Sequence, residues 1–544
     1  MGLHKGKCNA PGHNETIISH YHSSSGFKIY DHEYWWSKKW DAVDYGRDYD
    51  WTKPFFANFK ELLHDVPLYD LRVVDSVNCF YAMAFHSKNC YVGSVYNCED
   101  CLYADSAFSR NSVDISHAYS LENCYECSES NKNFGTLFSV HTDNSVDSLF
   151  LFNCNNLQNC AFCVNLRNKQ YYFFNQPLSK EQYEAKINGL DLGDFQKLEE
   201  AKRQFSEFVL KYPRKYCRNI NAQNAIGDGL KDARNCQQCF YFTGGVEDCK
   251  FISGGGVGLK DSYDVSYSGV HSELFYETVG SGENASNVRF SVNIMDGAHS
   301  VQYSVECHNS TNLFGCVGLR NKQYCILNKQ YTKEKYEELV PKIIAHMNEM
   351  PYTDRKGRTY TYGEFFPPEF SPFAYNESAA QEETYPKFIR EEAVRQGYWW
   401  RDPEPYDYAI TKLAADLPVH IKDVDDSILK KVVGCAHEEK CSHECASAFI
   451  IIPRELSFYR KMNLPLPRIC PNCRYAERKK HRNRFKLWHR ACQCAGAKSE
   501  NGVYTNTVVH FHKDGHCPNE FETSYSPERK EIVYCEACYN AEVV

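Results

Sequence analysis

The chain has 544 residues, 42% of them hydrophobic and 24% charged, with a formal charge of −8. That length allows three or four domains with ample core, and 39 Tyr and 33 Phe against 6 Met favour β structure over a helical bundle. No apolar run approaches the ~20 residues of a membrane span, and the opening residues lack a signal-peptide core, so a membrane partner is excluded, a reducing cytoplasmic location is expected, and a disulfide framework is not.

The 27 cysteines fall into two patterns. Ten lie from Cys435 onward, mostly in close pairs; sixteen recur at a slower beat between Cys79 and Cys325. The first pattern reads as metal and the second as architecture.

Residues 1–70 read as a degenerate, metal-free ribbon with a Trp-rich segment. At an ungapped offset of 504, ISHYHSSSGFKIYDHEYW aligns with ETSYSPERKEIVYCEACY near the C-terminus. Cys517 falls on His13, Cys535 on Asp31 and Cys538 on Tyr34. Trp35, Trp36 and Trp40 are the apolar replacement for the lost metal.

Residues 71–187 repeat with a period near 22. Asn78, Asp100, Asn123, Asn144 and Asn165 form one series, and Asn89, Asn111, Asn133 and Asn155 another, half a period out of phase. Asn and Asp suit recurrent turns, and the short runs between them, such as CYVGSVY, have strand composition. The expected fold is mostly β, with this stretch the first of two short parallel β-helix (β-solenoid) lobes, each closed by a cap helix. CVNLRNKQYYFFNQPLSKEQYEAKI at 163–187 matches CVGLRNKQYCILNKQYTKEKYEELV at 316–340 with 13 identities in 25 positions. Residues 217–350 are therefore the second lobe and 188–216 a helical connector. Ser179 with Gln182 predicts a capping box, and Thr332 an N-cap. The sixteen slow-beat cysteines are read as packing residues, because Ser112 and Ser145 occupy equivalent places.

After a linker with short helices at 351–430, residues 431–544 form a tandem zinc-binding module. Cys441, Cys445, Cys470 and Cys473 make one four-thiolate set, with Cys435, His437 and His443 as spare ligands. Cys517, Cys535 and Cys538 make a second, with Cys492 or Cys494 as fourth ligand and Cys494 preferred. Two Zn²⁺ per chain are expected. Residues 453–492 carry a net charge of +10, leaving −18 for the remainder. Such density beside zinc knuckles predicts nucleic-acid contacts from Arg474, Arg478, Lys479, Lys480, Arg482, Arg484, Lys486 and Arg490, with Trp488 stacking on bases.

NLRNKQY followed by the KEQYE-type helix, WWSKKWDAVDYGRDYDW, LSFYRKMNLPLPRICPNCR and the closing IVYCEACYNAEV resemble a group of cysteine-rich zinc-ribbon, Asn-Cys-repeat proteins encoded by uncultivated reduced-genome bacteria. The resemblance covers most of the chain apart from 351–385. It implies ribbons flanking an Asn-Cys repeat body, and no reaction.

The leading expectation is a non-enzymatic zinc protein with a rigid solenoid platform that binds nucleic acid, RNA rather than DNA, through its basic module. The alternatives are a protein-interaction scaffold using the solenoid faces, and a β-helix glycan-active enzyme or zinc hydrolase. No catalytic residue or small-molecule substrate stands out.

Overall fold

The computed structural model describes residues 2–378, 380–381, 386–402, 408–441 and 445–543. It is mostly sheet, with few helices. Two stacks of parallel strands dominate. In the first, Phe80–Phe85, Tyr91–Tyr96 and Leu102–Ala107 pair in parallel, Phe80 opposite Tyr91 and Tyr91 opposite Leu102. Single parallel bridges carry the ladder onward to Leu149–Phe152 and Ala161–Val164. The second is an eleven-stranded sheet from Gln223–Leu230 to Lys329–Gln330, parallel until its final hairpin.

Each strand pairs with the chain 11 to 13 residues later, as in Val77 with Lys88, Arg110 with Glu122 and Gln237 with Lys250. The spacing of 22 in the sequence is therefore two steps of the ladder. Asn78 donates to Asn89 at 3.2 Å, and Asn89 to Asp100 at 3.1 Å, so the two Asn series alternate along one row as far as Asn123. Beyond it the row continues through Gly135 and Asp147, and Asn133, expected at a turn, is buried in the interior and donates to Thr142 O at 2.7 Å. Asn89 and Asn111 are not adjacent; Asp100 stands between them.

A finer rhythm explains the composition. From Asn111 to Phe174 every third residue has a positive φ, and from Ser112 to Cys163 the residue after each is buried. A turn at every third residue points small and aliphatic side chains inward, Ser, Thr, Cys and Ala with Ile115, Leu121, Leu151 and Leu157 among them. The polar ones also satisfy backbone groups that the turns take out of regular pairing. The Ser112 hydroxyl donates to Arg110 O at 2.8 Å and accepts from Cys124 N at 3.1 Å; the Cys124 thiol repeats the first contact on Glu122 O at 3.4 Å. Ser, Thr and Cys are thus interchangeable inside. Left-handed φ costs a residue with a Cβ about 1 kcal/mol, least for Asn and Asp, which is why those two recur at the turns.

The duplicated segments close both stacks alike. Asn175 donates to Val164 O at 2.9 Å and accepts from Val164 N at 2.9 Å; Asn328 does the same to Val317 at 2.8 Å each. Helices Lys180–Leu190 and Lys333–Glu349 follow, the first carrying the Ser179–Gln182 capping box and the second capped by Thr332. The connector is a separate helix, Phe195–Val209, set off from the first by Asp191 in the left-handed region. Trp35, Phe55, Phe56 and Phe59 are buried in one core with Tyr303 and Phe314 of the second stack. Tyr103, Tyr125 and Phe138 of the first stack share another with Tyr459, Cys470 and Cys473 of the C-terminal module.

Candidate metal centres and the inter-stack cleft

Two buried groups of four cysteines could each hold a metal ion: Cys435, Cys445, Cys470 and Cys473, and Cys492, Cys517, Cys535 and Cys538. One local frame builds both. A first strand, Val433–Gly434 or Trp488–Ala491, delivers a cysteine one residue past its end. The antiparallel partner, Ala448–Phe449 or Glu520–Thr523, is preceded by the second cysteine three residues earlier. The third opens a helix, Pro471–Lys479 or Glu536–Val543, and the fourth lies on its first turn. Each helix-opening amide donates to the first sulfur, Cys470 N to Cys435 Sγ at 3.2 Å and Cys535 N to Cys492 Sγ at 3.1 Å. Sulfur separations are 3.9 Å for Cys435–Cys473, 3.9 Å for Cys470–Cys445 and 3.8 Å for Cys517–Cys535. Ligand atoms all within 4.8 Å of one another suit tetrahedral thiolate coordination.

The thiols are strained by their company. The hydrogen bond from Cys492 holds Cys535 down to about 4, while Cys492 itself is pushed far up, so that pair shares a proton. Its Cys470 partner, and then burial, push Cys435 up. A divalent cation removes this conflict, since it stabilises thiolate on all four ligands.

The structure gathers six of the eight expected ligands in these groups, with Cys435 and Cys492 in the places given to Cys441 and Cys494. Cys441 instead joins His437 and Cys473, its Sγ 3.6 Å from Cys473, and Cys494 joins His510, His512 and Cys538. Each of these groups shares one cysteine with a four-thiolate set. His443 lies outside the described residues. The signal for Cys435 and Cys492 was position relative to the strand, whereas sequence reading weighed pair spacing.

The basic segment turns largely inward. Arg474 and Arg478 are buried and meet at Asp114 of the first stack, which is 0% exposed: Arg478 Nη1 lies 2.7 Å from Oδ1 and Arg474 Nε 3.1 Å from Oδ2. Arg474 also pairs with buried Glu455 at 3.2 Å, and Arg478 donates to Ser116 Oγ at 3.0 Å. Arg490 donates to Tyr525 O and Ser526 O at 3.3 and 3.4 Å. Lys480 is exposed and pairs with Glu477 at 2.7 Å. Arg484 and Lys486 are exposed, and the Lys486 ammonium lies 5.5 Å from the Trp488 ring. Arg474 and Arg478 are thus committed to the fold and not to a phosphate surface.

Between the two stacks lies a cavity of about 1950 Å³, lined by both of them, by the N-terminal segment and by the C-terminal module. Four arginines in its wall stack on aromatic rings: Arg72 on Phe85 at 4.9 Å, Arg214 on Phe152 at 4.1 Å, Arg218 on Tyr241 at 4.7 Å and Arg482 on Tyr241 at 4.3 Å. The Nε of each is buried with no hydrogen-bond partner in the protein. Of the four, only Arg482 belongs to the basic segment 453–492. Lys479 lines the same cavity, and burial, aided by Arg482, lowers its ammonium to about 8. Burial and the nearby Arg218 keep His141 neutral.

No family model matches the chain, and no curated protein does. Among solved structures, it is compared with a protein provisionally named an acetyltransferase, from Desulfovibrio desulfuricans G20, at 10% identity and a TM-score of 0.10. The likeness covers 44% of this chain and 62% of that one, so the chain spans less than two thirds of its length. At that score it carries no argument. Among the described residues, no helix is long and apolar enough to cross a membrane.

Proposed function

We propose that the chain is a cytoplasmic, non-enzymatic zinc protein of the ribbon and Asn-Cys-repeat kind its motifs resemble, and that it binds single-stranded RNA in the cleft between two β-solenoid lobes. Zinc is the ion that reduced, buried four-thiolate sets favour. The ribbons clamp: one seats its helix on Asp114 of the first lobe, and in the other Val533 pairs with Arg214, in the strand between the lobes. The solenoid reading rests on the constant return of the chain every 11 to 13 residues.

The observation that carries the RNA reading is the arginine wall. Four arginines bring cationic guanidiniums, each stacked on an aromatic ring, to the wall of one cavity, and hydrogen bonds from such cations to an anion are about twice as strong as neutral ones. Phosphate oxygens supply acceptors, and the tyrosines of the cavity, among them Tyr81, Tyr96, Tyr119 and Tyr267, offer faces for unpaired bases. This moves the binding surface away from the exposed end of the basic segment.

The test is equilibrium binding of a fluorescent oligouridylate of about eight nucleotides to the full chain and two double or triple variants. Arg214→Met with Arg482→Met keeps the ring contacts and removes cleft charge; it should weaken binding at least tenfold. Lys480→Glu with Arg484→Glu and Lys486→Glu should change affinity by less than threefold at 150 mM salt. The reverse ranking returns binding to the exposed basic segment, and no binding by the parent chain favours a protein-interaction scaffold.

A further inference from the structure

The N-terminal segment repeats the frame of the second metal ribbon bond for bond. Strands His4–Lys7 and Thr16–Ser19 pair as Trp488–Ala491 and Glu520–Thr523 do, with Lys7 opposite Thr16 and Ala491 opposite Glu520. Cys8 N donates to Glu15 O at 3.1 Å, Cys492 N to Asn519 O at 2.9 Å. Asn9 N donates to Ile29 O at 2.7 Å and its Oδ1 accepts from Ile29 N at 2.8 Å; Gln493 does the same with Val533 at 3.0 and 2.8 Å. His13 N reaches Ala10 O at 3.0 Å, Cys517 N reaches Cys494 O at 2.9 Å. Asp31 N donates to Cys8 Sγ at 3.4 Å, as Cys535 N does to Cys492 Sγ at 3.1 Å. Ile29–Tyr30 then pairs in parallel with Leu68–Tyr69, as Val533–Tyr534 pairs with Arg214–Lys215.

This frame puts Cys8 where the metal ribbon has Cys492, His13 where it has Cys517, and Asp31 where it has Cys535. Only the fourth ligand is lost, Tyr34 standing for Cys538. The offset of 504 in the sequence aligns the second half alone, because the loop 493–519 is longer than 9–15; Cys8 was therefore not matched, and the segment read as metal-free.

The three side chains are in ligand register. Cys8 Sγ lies 3.2 Å and His13 Nδ1 3.3 Å from Asp31 Oδ2, and one ligand atom of each lies within 4.8 Å of the others. Cys8 is 4% exposed, while His13 and Asp31 keep 27% and 18% of their side chains in solvent, with Glu15 Oε2 3.1 Å from His13 Nδ1. Thiolate, imidazole and carboxylate are each zinc ligands.

We propose that Cys8, His13 and Asp31 form a third metal site, taking Zn²⁺ or a like borderline divalent cation. The site is independent of the RNA reading. The geometry alone has a second explanation, in which hydrogen bonds among the three groups replace a metal, and the experiment separates the two. Full-length chain purified without chelator is assayed for zinc per chain by plasma mass spectrometry, beside Cys8→Ser with His13→Ala, and beside Asp31→Asn. Asparagine retains an oxygen for the Tyr34 amide that Asp31 Oδ1 accepts from at 2.8 Å, so this variant keeps its helix start. Both variants should carry one zinc fewer than the parent, and on cobalt replacement the parent should show one more equivalent than Asp31→Asn. Equal metal content in parent and Asp31→Asn overturns the proposal, whether or not the double variant folds.

Discussion

Replacing Asp114 by alanine should detach the basic helix from the first stack. Asp114 is fully buried and is shared by two buried guanidiniums, at 2.7 Å for Arg478 and 3.1 Å for Arg474. Removing one member of a buried ion cluster costs about 3–5 kcal/mol, since the remaining charge stays out of water without its partner. Here the low end applies. Arg474 keeps Glu455 at 3.2 Å, and Arg478 keeps Ser116 Oγ at 3.0 Å, so neither cation is wholly abandoned. About 3 kcal/mol corresponds to a roughly 100-fold rise in local opening. Native-state hydrogen exchange should therefore lose about two decades of protection in Pro471–Lys479, while amides of the second stack keep theirs. Asp114→Asn, which retains a polar group but not the charge, should lose nearly as much, and Asp114→Ala combined with Arg478→Met should recover part of it. Protection of that helix unchanged within about twofold would show that its arginines are solvated, and would return them to the phosphate-binding surface read from sequence.

Chelation, or Cys470→Ser, should unfold the first ribbon, because a structural zinc contributes on the order of 10 kcal/mol to its local fold; circular dichroism of the second stack should persist. Cys435→Ser should lose that metal, whereas Cys441→Ser should retain it, by metal analysis. Inside the first stack Cys124→Ser should cost less than about 1.5 kcal/mol, because serine makes the same carbonyl contact, while Cys124→Leu should cost more by overpacking, as read from urea midpoints. RNA affinity should fall as pH rises through about 8, where Lys479 loses its proton. The same shift has the opposite sign for folding: its folded value lies below that of a free lysine, so between about 8 and 10.5 the unfolded chain binds more protons and stability rises with pH. A Lys479→Met variant with an unchanged pH profile would remove the assignment.

What could be read from the sequence was what the chain states locally. The ribbon cysteines come in short pairs because a knuckle is a local turn, and the Ser179–Gln182 box and the Thr332 cap are local too. The repeat was visible, but its step was doubled: Asn78, Asn89 and Asp100 are successive neighbours 11 residues apart, and the spacing of 22 joins every second mark. The three-residue rhythm of Ser112, Ile115, Ala118 and Leu121 matches neither the strand period of 2 nor the helix period of 3.6, and went unread. The basic segment misled because its partner is far away in sequence: Arg478 is neutralised by Asp114, 364 residues earlier. Charge density alone does not reveal which cations a fold has already paired.

The most direct test of the cleft is photocrosslinking of a 4-thiouridine oligonucleotide to the full chain, with the attached peptides identified by mass spectrometry. The cleft reading predicts adducts on peptides that contain its tyrosines, such as Tyr96, Tyr119 and Tyr267 from the two stacks together. Adducts confined to the peptide around Arg484, Lys486 and Trp488, or spread without preference over the surface, would contradict it.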